Sequence, residues 1–370
     1  MRPQFTLEMR GHKVRLGERT LIMGVLNVTP DSFSDGGQYI DSERAIEHGV
    51  EMAHQGADWI DVGGESTRPG SKPVTAEEEL RRVLPVIRGI HKRLGALPIS
   101  IDTTKAEVAE QSARAGASII NDISGLRFDP RLAEVALRHG ATLILMHIRR
   151  RPETMQRKPF AKSIWRSLGR GLARSVRQAL ASGLRRSQLI IDPGLGFGKT
   201  RRQNFEIVAR LHRLRRFGLP ILLGASRKSF VQAIVAGEEL QPRRRRSGPA
   251  PAAPTWPLTV GTGLIPTGEM REPEATARLE VGDAAMLTAA ILEGVHIVRV
   301  HDVQAALPAV RIADALLAAR TPHPPSYLGH PLPWERVPEV RGRVGVRAAS
   351  GAHCRRASGS AAWTSWTRTM

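Results

Sequence analysis

The chain has 370 residues, of which 41% are hydrophobic and 4% aromatic, and it contains a single cysteine, Cys354. That length allows one large α/β domain with additions or two smaller ones, while one cysteine excludes an intrachain disulfide framework and a metal site built from paired cysteines. The N-terminus lacks a signal-peptide pattern and no apolar run approaches the roughly 20 residues of a membrane helix, so we expect a cytoplasmic protein without membrane attachment.

The formal net charge of +20 is concentrated in one part of the chain, because residues 149–216 contain 19 Lys and Arg but three acids. Such a patch is compatible with binding to nucleic acid or an anionic surface. Five of these cations recur at helical spacing, opposite an apolar stripe: Lys162, Arg166, Arg170, Arg174 and Arg177 against Ile164, Leu168, Leu172, Val176 and Ala179. Since no interleaved aromatics or binding motif accompany the charge, we favour a solvent-exposed helix face over a nucleic-acid site.

Eight strand-like apolar runs follow one another at intervals too long for β-hairpins: 21–27, 58–63, 98–102, 118–121, 142–146, 188–192, 220–224 and 296–300. Amphipathic segments of helical length follow them, at 41–55, 75–94, 104–115, 130–139, 162–182, 203–217, 283–293 and 303–318. Near-continuous apolar strands alternating with helices indicate a parallel sheet covered on both faces. Eight such units predict an α/β fold, a closed (β/α)8 TIM barrel, in preference to an open doubly wound sheet.

Two segments interrupt this alternation. Residues 241–276 contain four consecutive arginines, Arg243 to Arg246, and continue as a Pro-, Gly- and Thr-rich run without periodicity, which predicts a disordered insertion before the eighth strand. Residues 321–370 are rich in Pro, Arg, Gly and Ser and have no amphipathic pattern, so we expect a disordered tail outside a catalytic domain of residues 1–320. One hypothesis is that the tail is translated read-through or an out-of-frame stretch.

Every predicted strand ends in polar or ligand-type side chains. In barrel enzymes the carboxyl ends of the strands carry the active site, and these ends supply Asn27, Asp61, Asp102, Asn121, Met146, Asp192, Ser226, Lys228, Arg299 and His301. This mixture of carboxylates, amides and cations suits a flat heterocycle held beside an anion. Because four different strands contribute to one rim, we favour a functional role for Asp102, Asn121, Asp192 and Lys228, but a capping or turn role for Asp122 and Asp129.

The glycine-rich run from Asp192 to Thr200 resembles a phosphate-binding loop but lacks its spacing. The first glycine of a GxxxxGK[ST] loop would stand at position 193, which is proline, and the GxGxG spacing also departs from the dinucleotide fingerprint. We expect these glycines to let the backbone approach a ligand closely.

Seven motifs in order give the chain a clear resemblance to the dihydropteroate synthase family of the folate pathway: NVTPDSFSDGG (27–37), DVGGESTRPG (61–70), IDTTK (101–105), NDISG (121–125), DPGLGFGK (192–199), GASRKSF (224–230) and RVHDV (299–303). The resemblance extends over about residues 21–317, apart from the insertion. It implies a transferase that condenses 6-hydroxymethyl-7,8-dihydropterin diphosphate with p-aminobenzoate, giving 7,8-dihydropteroate and pyrophosphate. It also implies a homodimer and inhibition by sulfonamides.

The same resemblance implies roles for individual residues. Asp102, Asn121, Asp192 and Lys228 would hold the pterin, with Met146 and Arg299 against its ring. Asn27 would help to ligate Mg²⁺, while Arg68, Arg299 and His301 would bind the diphosphate. Thr67, Pro69, Phe33, Phe197 and Ser226 would form the p-aminobenzoate site.

Three rival functions stay open on the sequence. A pterin-dependent methyltransferase of similar architecture would share the acidic and amide residues, but would have no use for the Ser-Thr-Arg-Pro loop or the Arg-Val-His pair. A non-catalytic pterin-binding paralogue and a basic nucleic-acid-binding barrel are the others. The family pattern differs at Arg149, Arg150 and Arg151 and in the insertion, so we expect differences from the family in loop geometry and rate.

Overall fold

The computed structural model describes residues 2–29, 38–66, 71, 73–156, 162–238, 240 and 272–320. Within these ranges, eight parallel strands form one sheet: β3 (Leu21–Asn27), β4 (Trp59–Gly63), β5 (Ile99–Asp102), β6 (Ile119–Asp122), β7 (Thr142–Met146), β8 (Leu189–Asp192), β9 (Leu222–Gly224) and β10 (Ile297–Val300). The strands pair in the order β8-β7-β6-β5-β4-β3-β10-β9. The ring closes through a parallel bridge between Ile191 and Ile221, supported by the Ile191 N–H donating to the Pro220 carbonyl at 3.0 Å. The (β/α)8 prediction is confirmed.

Helices cover the outside of the ring: α1 (Gln38–His54), α2 (Ala76–Leu94), α3 (Ala106–Ala115), α4 (Leu132–His139), α5 (Ile164–Ala181), α6 (Arg201–Val208), α7 (Ser229–Val235), α8 (Glu272–Leu292) and α9 (Val303–Ala319). Short 3-10 helices span Arg186–Gln188 and Leu211–Phe217. In the described part of the chain no helix is both long and apolar enough to cross a bilayer.

The alternation of side chains along each strand divides the apolar core into two clusters. Outward-facing residues such as Ile60, Ile101 and Leu145 pack against the helices. Inward-facing residues at the amino ends of the strands, including Met23 and Trp59, fill the lower part of the barrel. The charged side chains Asp102, Asp192 and Arg299 lie farther toward the carboxyl-terminal ends of their strands.

An N-terminal hairpin, formed by β1 (Phe5–Met9) and β2 (His12–Leu16), was not predicted from the sequence. Leu7, Met9 and Leu16 belong to the inner cluster. The Thr142 hydroxyl at the start of β7 donates to the Glu8 carbonyl at 3.1 Å, and the Arg10 N–H donates to the Gly140 carbonyl at 2.7 Å. The hairpin therefore covers the amino-terminal end of the barrel.

The predicted helices agree with the structure except in three places. The segment 203–217 is not one helix, because α6 ends at Val208 and a 3-10 helix begins at Leu211. The helix predicted at 283–293 begins earlier, at Glu272, so the last five residues of the segment 241–276 are helical. Helix α7 was not predicted. Residues 241–271 and 321–370 lie outside the described residues. The hypothesis about the tail concerns residues 321–370 and is therefore not tested by the structure.

The basic segment on α5 takes the arrangement that its periodicity predicts. Lys162 and the arginines at 166, 170, 174 and 177 are exposed, whereas Ile164, Leu168, Leu172, Val176 and Ala179 are buried. Ser163 caps the helix by accepting a hydrogen bond from the Arg166 N–H. The charge on α5 is thus the solvent side of an amphipathic barrel helix.

Candidate active site

Polar side chains converge at the carboxyl-terminal end of the barrel. Asp102, Asn121 and Asp192 stand at or next to the last residues of β5, β6 and β8, and Arg299 projects from β10. Parallel strands in a closed ring bring these ends to a single mouth. All four had been predicted as site residues, and the structure places them in one interacting group.

Arg299 is the centre of this group. Its Nε donates to Oδ2 of Asp61 at 2.6 Å, and its Nη2 donates to Oδ2 of Asp102 at 2.9 Å. The Asn121 Nδ2 donates to the same Asp61 oxygen at 3.0 Å. Asp61 is completely buried, and it therefore links β4, β6 and β10. The sequence analysis assigned Asp61 to a strand end, whereas it is the middle residue of β4, and its role as an anchor depends on partners far away in the chain.

Asp192 and Lys228 form the opposite side of the group. The Asp192 Oδ1 accepts a hydrogen bond from the Gly194 N–H at 2.6 Å, and its charge interacts with that of Lys228. The Lys228 Nζ lies over the Phe197 ring, 4.8 Å from its centroid. This cation–π contact places the ammonium between the polar interior and the Phe197 ring.

Burial shifts the ionisation of these groups toward neutrality. Desolvation raises the pKa of Asp192 to about 6, although the Gly194 N–H and Lys228 oppose the change. Desolvation, together with the charge of Arg299, lowers the pKa of Lys228 to about 8. Desolvation also raises the pKa of Asp102, and Arg299 partly offsets the effect. Shifts of this kind, from burial plus specific charge partners, are typical of functional sites.

Arg299 behaves differently, because two carboxylates flank it. Desolvation lowers its pKa, but the attraction of Asp61 and Asp102 outweighs this and leaves the pKa above its ordinary value. The guanidinium is therefore a permanent cation. Two of its five N–H donors are used by the carboxylates, and the others stay available for an anion.

A small apolar cluster lines the mouth beside these charges. It contains Met146 and Ile148 from the end of β7, Ile123, Met155 and, partly buried, Phe197. A side chain at Gly194, where φ is 65°, would bring its Cβ within 2.4 Å of the His147 carbonyl and 2.9 Å of the Met146 Cγ. The glycine-rich run thus packs against the neighbouring loop at this position, and the expected close approach is to protein backbone.

Ser226 and His301 lie together beyond the ends of β9 and β10. The Ser226 Oγ is 3.4 Å from the His301 Nδ1 and 3.5 Å from its backbone nitrogen. Arg299 is two residues before His301 on the same chain segment. The pair extends the line of polar groups from the barrel interior to the rim.

Lys199 is a buried cation that the sequence analysis did not single out. Its Nζ donates to the carbonyls of His147, Gly194 and Phe197 at 2.9, 2.6 and 3.0 Å. Burial lowers its pKa to about 7. Since all three ammonium hydrogens have carbonyl acceptors, Lys199 joins the loop after β7 to the loop after β8 and has a structural role.

A second ion cluster supports the loop after β4. The Lys105 Nζ lies 2.5 Å from Oε2 of Glu65 and 2.5 Å from Oε2 of Glu79. Glu79 is fully buried on α2, and burial raises its pKa despite the lysine. Glu65 precedes the predicted Thr67-Arg68-Pro69 loop, so this cluster fixes the residue from which the loop begins.

Asn27 lies at the end of β3 and is partly exposed. Its Oδ1 is 3.8 Å from the point that a Cβ on Gly63 would occupy, and the Asp102 Cβ is 3.6 Å from the same point. The described residues contain no group of three or more His, Cys, Asp or Glu placed to hold a metal. The chain therefore offers an amide oxygen at the mouth, with carboxylates nearby that are already paired with Arg299.

Four predicted site residues, Phe33, Thr67, Arg68 and Pro69, lie outside the described residues. Asp122 and Asp129 have the structural roles that we favoured. The Asp122 carboxylate accepts the backbone N–H groups of Ser124 and Leu126, and Asp129 accepts that of Ala106 at 3.0 Å.

The arrangement can bind a planar, donor- and acceptor-rich ring in the barrel and an anion at its mouth. Asn121, Asp102 and Asp192 supply polar groups in the interior, where water is largely excluded. Arg299, Lys228 and His301 lead outward from there. Converging charged and amide groups of this kind suit chemistry that depends on positioning and electrostatics.

Comparison with known proteins identifies close relatives. The family model described as "Pterin binding enzyme" matches residues 23–301. The chain is 41% identical over 300 residues to the dihydropteroate synthase of Synechocystis sp., an alignment that covers 81% of this chain and 91% of the relative.

Solved structures give the same result. The chain is 40% identical to a dihydropteroate synthase from Clostridium difficile solved in the presence of pteroic acid, with a TM-score of 0.67 over 81% of this chain and 98% of the other. It is 35% identical to the Yersinia pestis dihydropteroate synthase solved with a sulfonamide drug complex, with a TM-score of 0.69 over 85% and 100% of the two chains.

Proposed function

Because this chain belongs to the pterin binding enzymes and, among them, to the dihydropteroate synthase family, we propose that it condenses 6-hydroxymethyl-7,8-dihydropterin diphosphate with p-aminobenzoate. The products are 7,8-dihydropteroate and pyrophosphate, and the protein is a transferase of folate biosynthesis. The observation that carries this function is the convergence of Asp102, Asn121, Asp192 and Lys228 around Arg299 at one end of the barrel.

The pterin occupies the polar interior in this proposal. Asp102, Asn121 and Asp192 present oxygen and amide groups to its ring nitrogens and amino group, and Lys228 presents a cation to its carbonyl. Met146 and Arg299 lie against the ring faces. The flat ring and its alternating donors and acceptors match this set of side chains.

Cleavage of the substrate C–O bond creates negative charge on the diphosphate and positive charge on the pterin methylene, and side chains of the site stabilise both charges. The C–O bond at the pterin methylene breaks, and negative charge grows on the departing diphosphate. Arg299 and His301, with Arg68 from outside the described residues, stabilise that anion. Positive charge left on the methylene spreads into the pterin, beside the carboxylates of Asp102 and Asp192.

The p-aminobenzoate amine then attacks the methylene carbon, so that a C–N bond replaces the broken C–O bond, and the nitrogen loses one proton to solvent. The amine is a neutral nucleophile and needs no residue to activate it by forming a covalent intermediate. In this proposal Phe197 and Ser226, together with Thr67, Pro69 and Phe33, orient the arylamine, and the rate enhancement comes chiefly from holding the two reactants in line.

We also infer that Mg²⁺ assists the reaction. Mg²⁺ commonly takes one or two protein oxygens and completes its shell with substrate phosphates and water. Asn27 is partly exposed at the end of β3, and its amide oxygen is one protein ligand for a metal held mainly by the substrate diphosphate. When bound, the metal supplies charge neutralisation for the leaving group.

A homodimer is the assembly that we propose, and α8 and α9 offer the surface. Val281 on α8 is 71% exposed, and Ile312 and Leu316 on α9 are 61% and 46% exposed. Exposed apolar side chains on two packed neighbouring helices favour burial against a second copy. Sedimentation of the wild-type protein should show a dimer, and Ile312→Asp should dissociate it. Leu137→Asp is the control, because Leu137 on α4 is 44% exposed and lies outside this surface, so the dimer should stay intact. A wild-type monomer would disprove this assembly.

The single cysteine, Cys354, is consistent with a reducing compartment, and we propose that the enzyme works in the cytoplasm. Fractionation of the source cells with an antibody to the protein would test this. Recovery with extracellular or envelope proteins would contradict it.

A pyrophosphate-release assay with purified protein tests the reaction. We expect release from the pterin diphosphate that depends on p-aminobenzoate, with formation of 7,8-dihydropteroate by mass spectrometry. Sulfonamides should inhibit competitively with p-aminobenzoate. Pterin binding without product would indicate a non-catalytic paralogue, and salt-dependent DNA binding unaffected by the pterin would favour a nucleic-acid function.

A further inference from the structure

The loop after β9 carries both Ser226 and Lys228, and it contains an unfavourable backbone conformation between them. Arg227 has φ of 54°, in the left-handed region. A residue with a Cβ adopts this region at a cost, and arginine has no short polar side chain to offset it locally. A contact from outside the loop must therefore hold the turn in place.

That contact comes from Asp283 on α8. Its Oδ2 accepts a hydrogen bond from the Arg227 N–H at 2.8 Å. Burial raises the pKa of Asp283, and the neighbouring Ser226 side chain, which acts on the same carboxyl group, opposes that increase. The carboxylate thus bonds to the loop at Arg227, immediately before Lys228, which is the N-cap residue of α7.

The preceding residue explains how α8 comes close enough for this contact. A Cβ added to Gly282 would lie 2.5 Å from Cγ2 of Val235 and 3.3 Å from Cγ1 of Val231, both on α7. Glycine at 282 therefore permits a close crossing of α7 and α8, and this crossing brings Asp283 next to the loop. The pair Gly282-Asp283 acts as a local packing and anchoring unit.

We propose that Asp283 is a positioning residue of the enzyme, which holds the Arg227 turn in its left-handed conformation and thereby fixes the Ser226 hydroxyl and the Lys228 ammonium in the active site. The role rests on the proposed function for its effect on turnover, but the anchoring itself is a property of the free protein. Asp283 acts through these two residues and does not contact the reacting atoms.

A double-mutant cycle separates this role from general stability. Asp283→Ala should lower kcat/KM by about tenfold, as expected for loss of a hydrogen bond to a charged acceptor. Asp283→Asn keeps an acceptor oxygen and should retain most of the rate. Arg227→Gly removes the cost of the left-handed turn, so adding Asp283→Ala to Arg227→Gly should have little further effect on kcat/KM. Glu280→Ala, an exposed acid on the same helix, is the matched control and should behave as wild type.

Hydrogen exchange of the free protein provides a readout that does not need substrates. The Arg227 amide should exchange faster in Asp283→Ala and remain protected in Glu280→Ala. The proposal is overturned if Asp283→Ala leaves that exchange rate unchanged. It is also overturned if Asp283→Ala lowers kcat/KM equally in the wild-type and Arg227→Gly backgrounds. If wild-type protein shows protected Arg227 but no turnover, the proposed function fails while the anchoring stands.

Discussion

Arg299 on β10 and Asp61 on β4, the two strands that flank β3, are joined inside the barrel, with Nε 2.6 Å from Oδ2. Asp61 is completely buried, and the same oxygen accepts the Asn121 Nδ2 at 3.0 Å. A buried carboxylate with two donors stiffens the interior face of the site. Its removal would leave a buried guanidinium only partly compensated by Asp102.

We therefore expect Asp61→Asn to lower the free energy of unfolding by about 3 kcal/mol, the range for breaking a buried pair, and to weaken pterin binding. Urea denaturation and pterin titration would measure these effects. Ser100→Ala is the control, because Ser100 pairs with Asp61 in the sheet register and its buried hydroxyl has no partner. Equal stability of Asp61→Asn and Ser100→Ala would contradict the anchoring role.

Removing either charge that faces the pterin should abolish useful turnover while the fold persists. Lys228→Ala and Asp102→Ala should each reduce kcat by about 100-fold or more, the size of effect seen when a preorganised electrostatic group is lost. Pyrophosphate release measures the rate, and circular dichroism with thermal melting monitors the fold. Near-normal turnover in either variant would refute the site assignment.

The pH dependence of kcat/KM should reflect the ionisation of the Lys228 ammonium. Desolvation lowers its pKa to about 8, so the ammonium is charged below that pH and neutral above it. Interactions that need the charge are present at lower pH and lost as the pH rises through about 8. We expect kcat/KM for the pterin substrate, which reflects the free enzyme, to fall on the alkaline side. This limb should disappear from the residual activity of Lys228→Met; its persistence there would assign it to another group.

We expect turnover to depend on Mg²⁺ and Asn27 to be one of the ligands of the metal. Chelation should lower turnover, and Asn27→Ala should raise the Mg²⁺ concentration needed for half-maximal activity by roughly tenfold, as expected for losing one ligand-type contact. Titration of activity with Mg²⁺ provides the measurement, and isothermal titration of pyrophosphate with and without the metal gives a readout independent of turnover. An unchanged Mg²⁺ requirement would remove Asn27 from the metal site.

Deletion of residues 321–370 should leave folding and activity intact. Helix α9 ends at Ala319 with Arg320 at its C-cap, and all eight strands of the barrel precede it. Melting temperature and kcat/KM of the shortened protein should match those of the full chain. Loss of either would show that the tail is part of the enzyme and would contradict the read-through hypothesis.

The barrel was predictable because each strand is a short apolar run followed by a polar end, and these features are local. The predicted 142–146 coincides with β7, and 188–192 differs from β8 by one residue. The hairpin was missed although Phe5, Leu7 and Met9 alternate with polar residues before an Arg-Gly turn, a period-2 pattern that marks a strand. Helix α7 is only seven residues long, too short to show periodicity.

The sequence predicted which residues belong to the site, but not which of them hydrogen-bond to one another. Strand ends and motifs identify Asp102, Asp192, Lys228 and Arg299, but the sequence does not reveal that Asp61 pairs with a residue 238 positions away. The same limit applies to Asp283, whose partner at 227 depends on how closely α7 and α8 cross. Long-range pairing is set by packing, which a single sequence does not encode in any local pattern.

Leu7, Met9 and Leu16 of the hairpin pack with the inward-facing strand residues and cover the amino-terminal end of the barrel, so among the described residues the polar groups of the site face the carboxyl-terminal end. A pterin bound among the strand ends would have to enter before a p-aminobenzoate bound nearer the surface, and its product would have to leave by the same opening. We therefore expect an ordered kinetic scheme, in which the pterin substrate binds before p-aminobenzoate and the pteroate product leaves last.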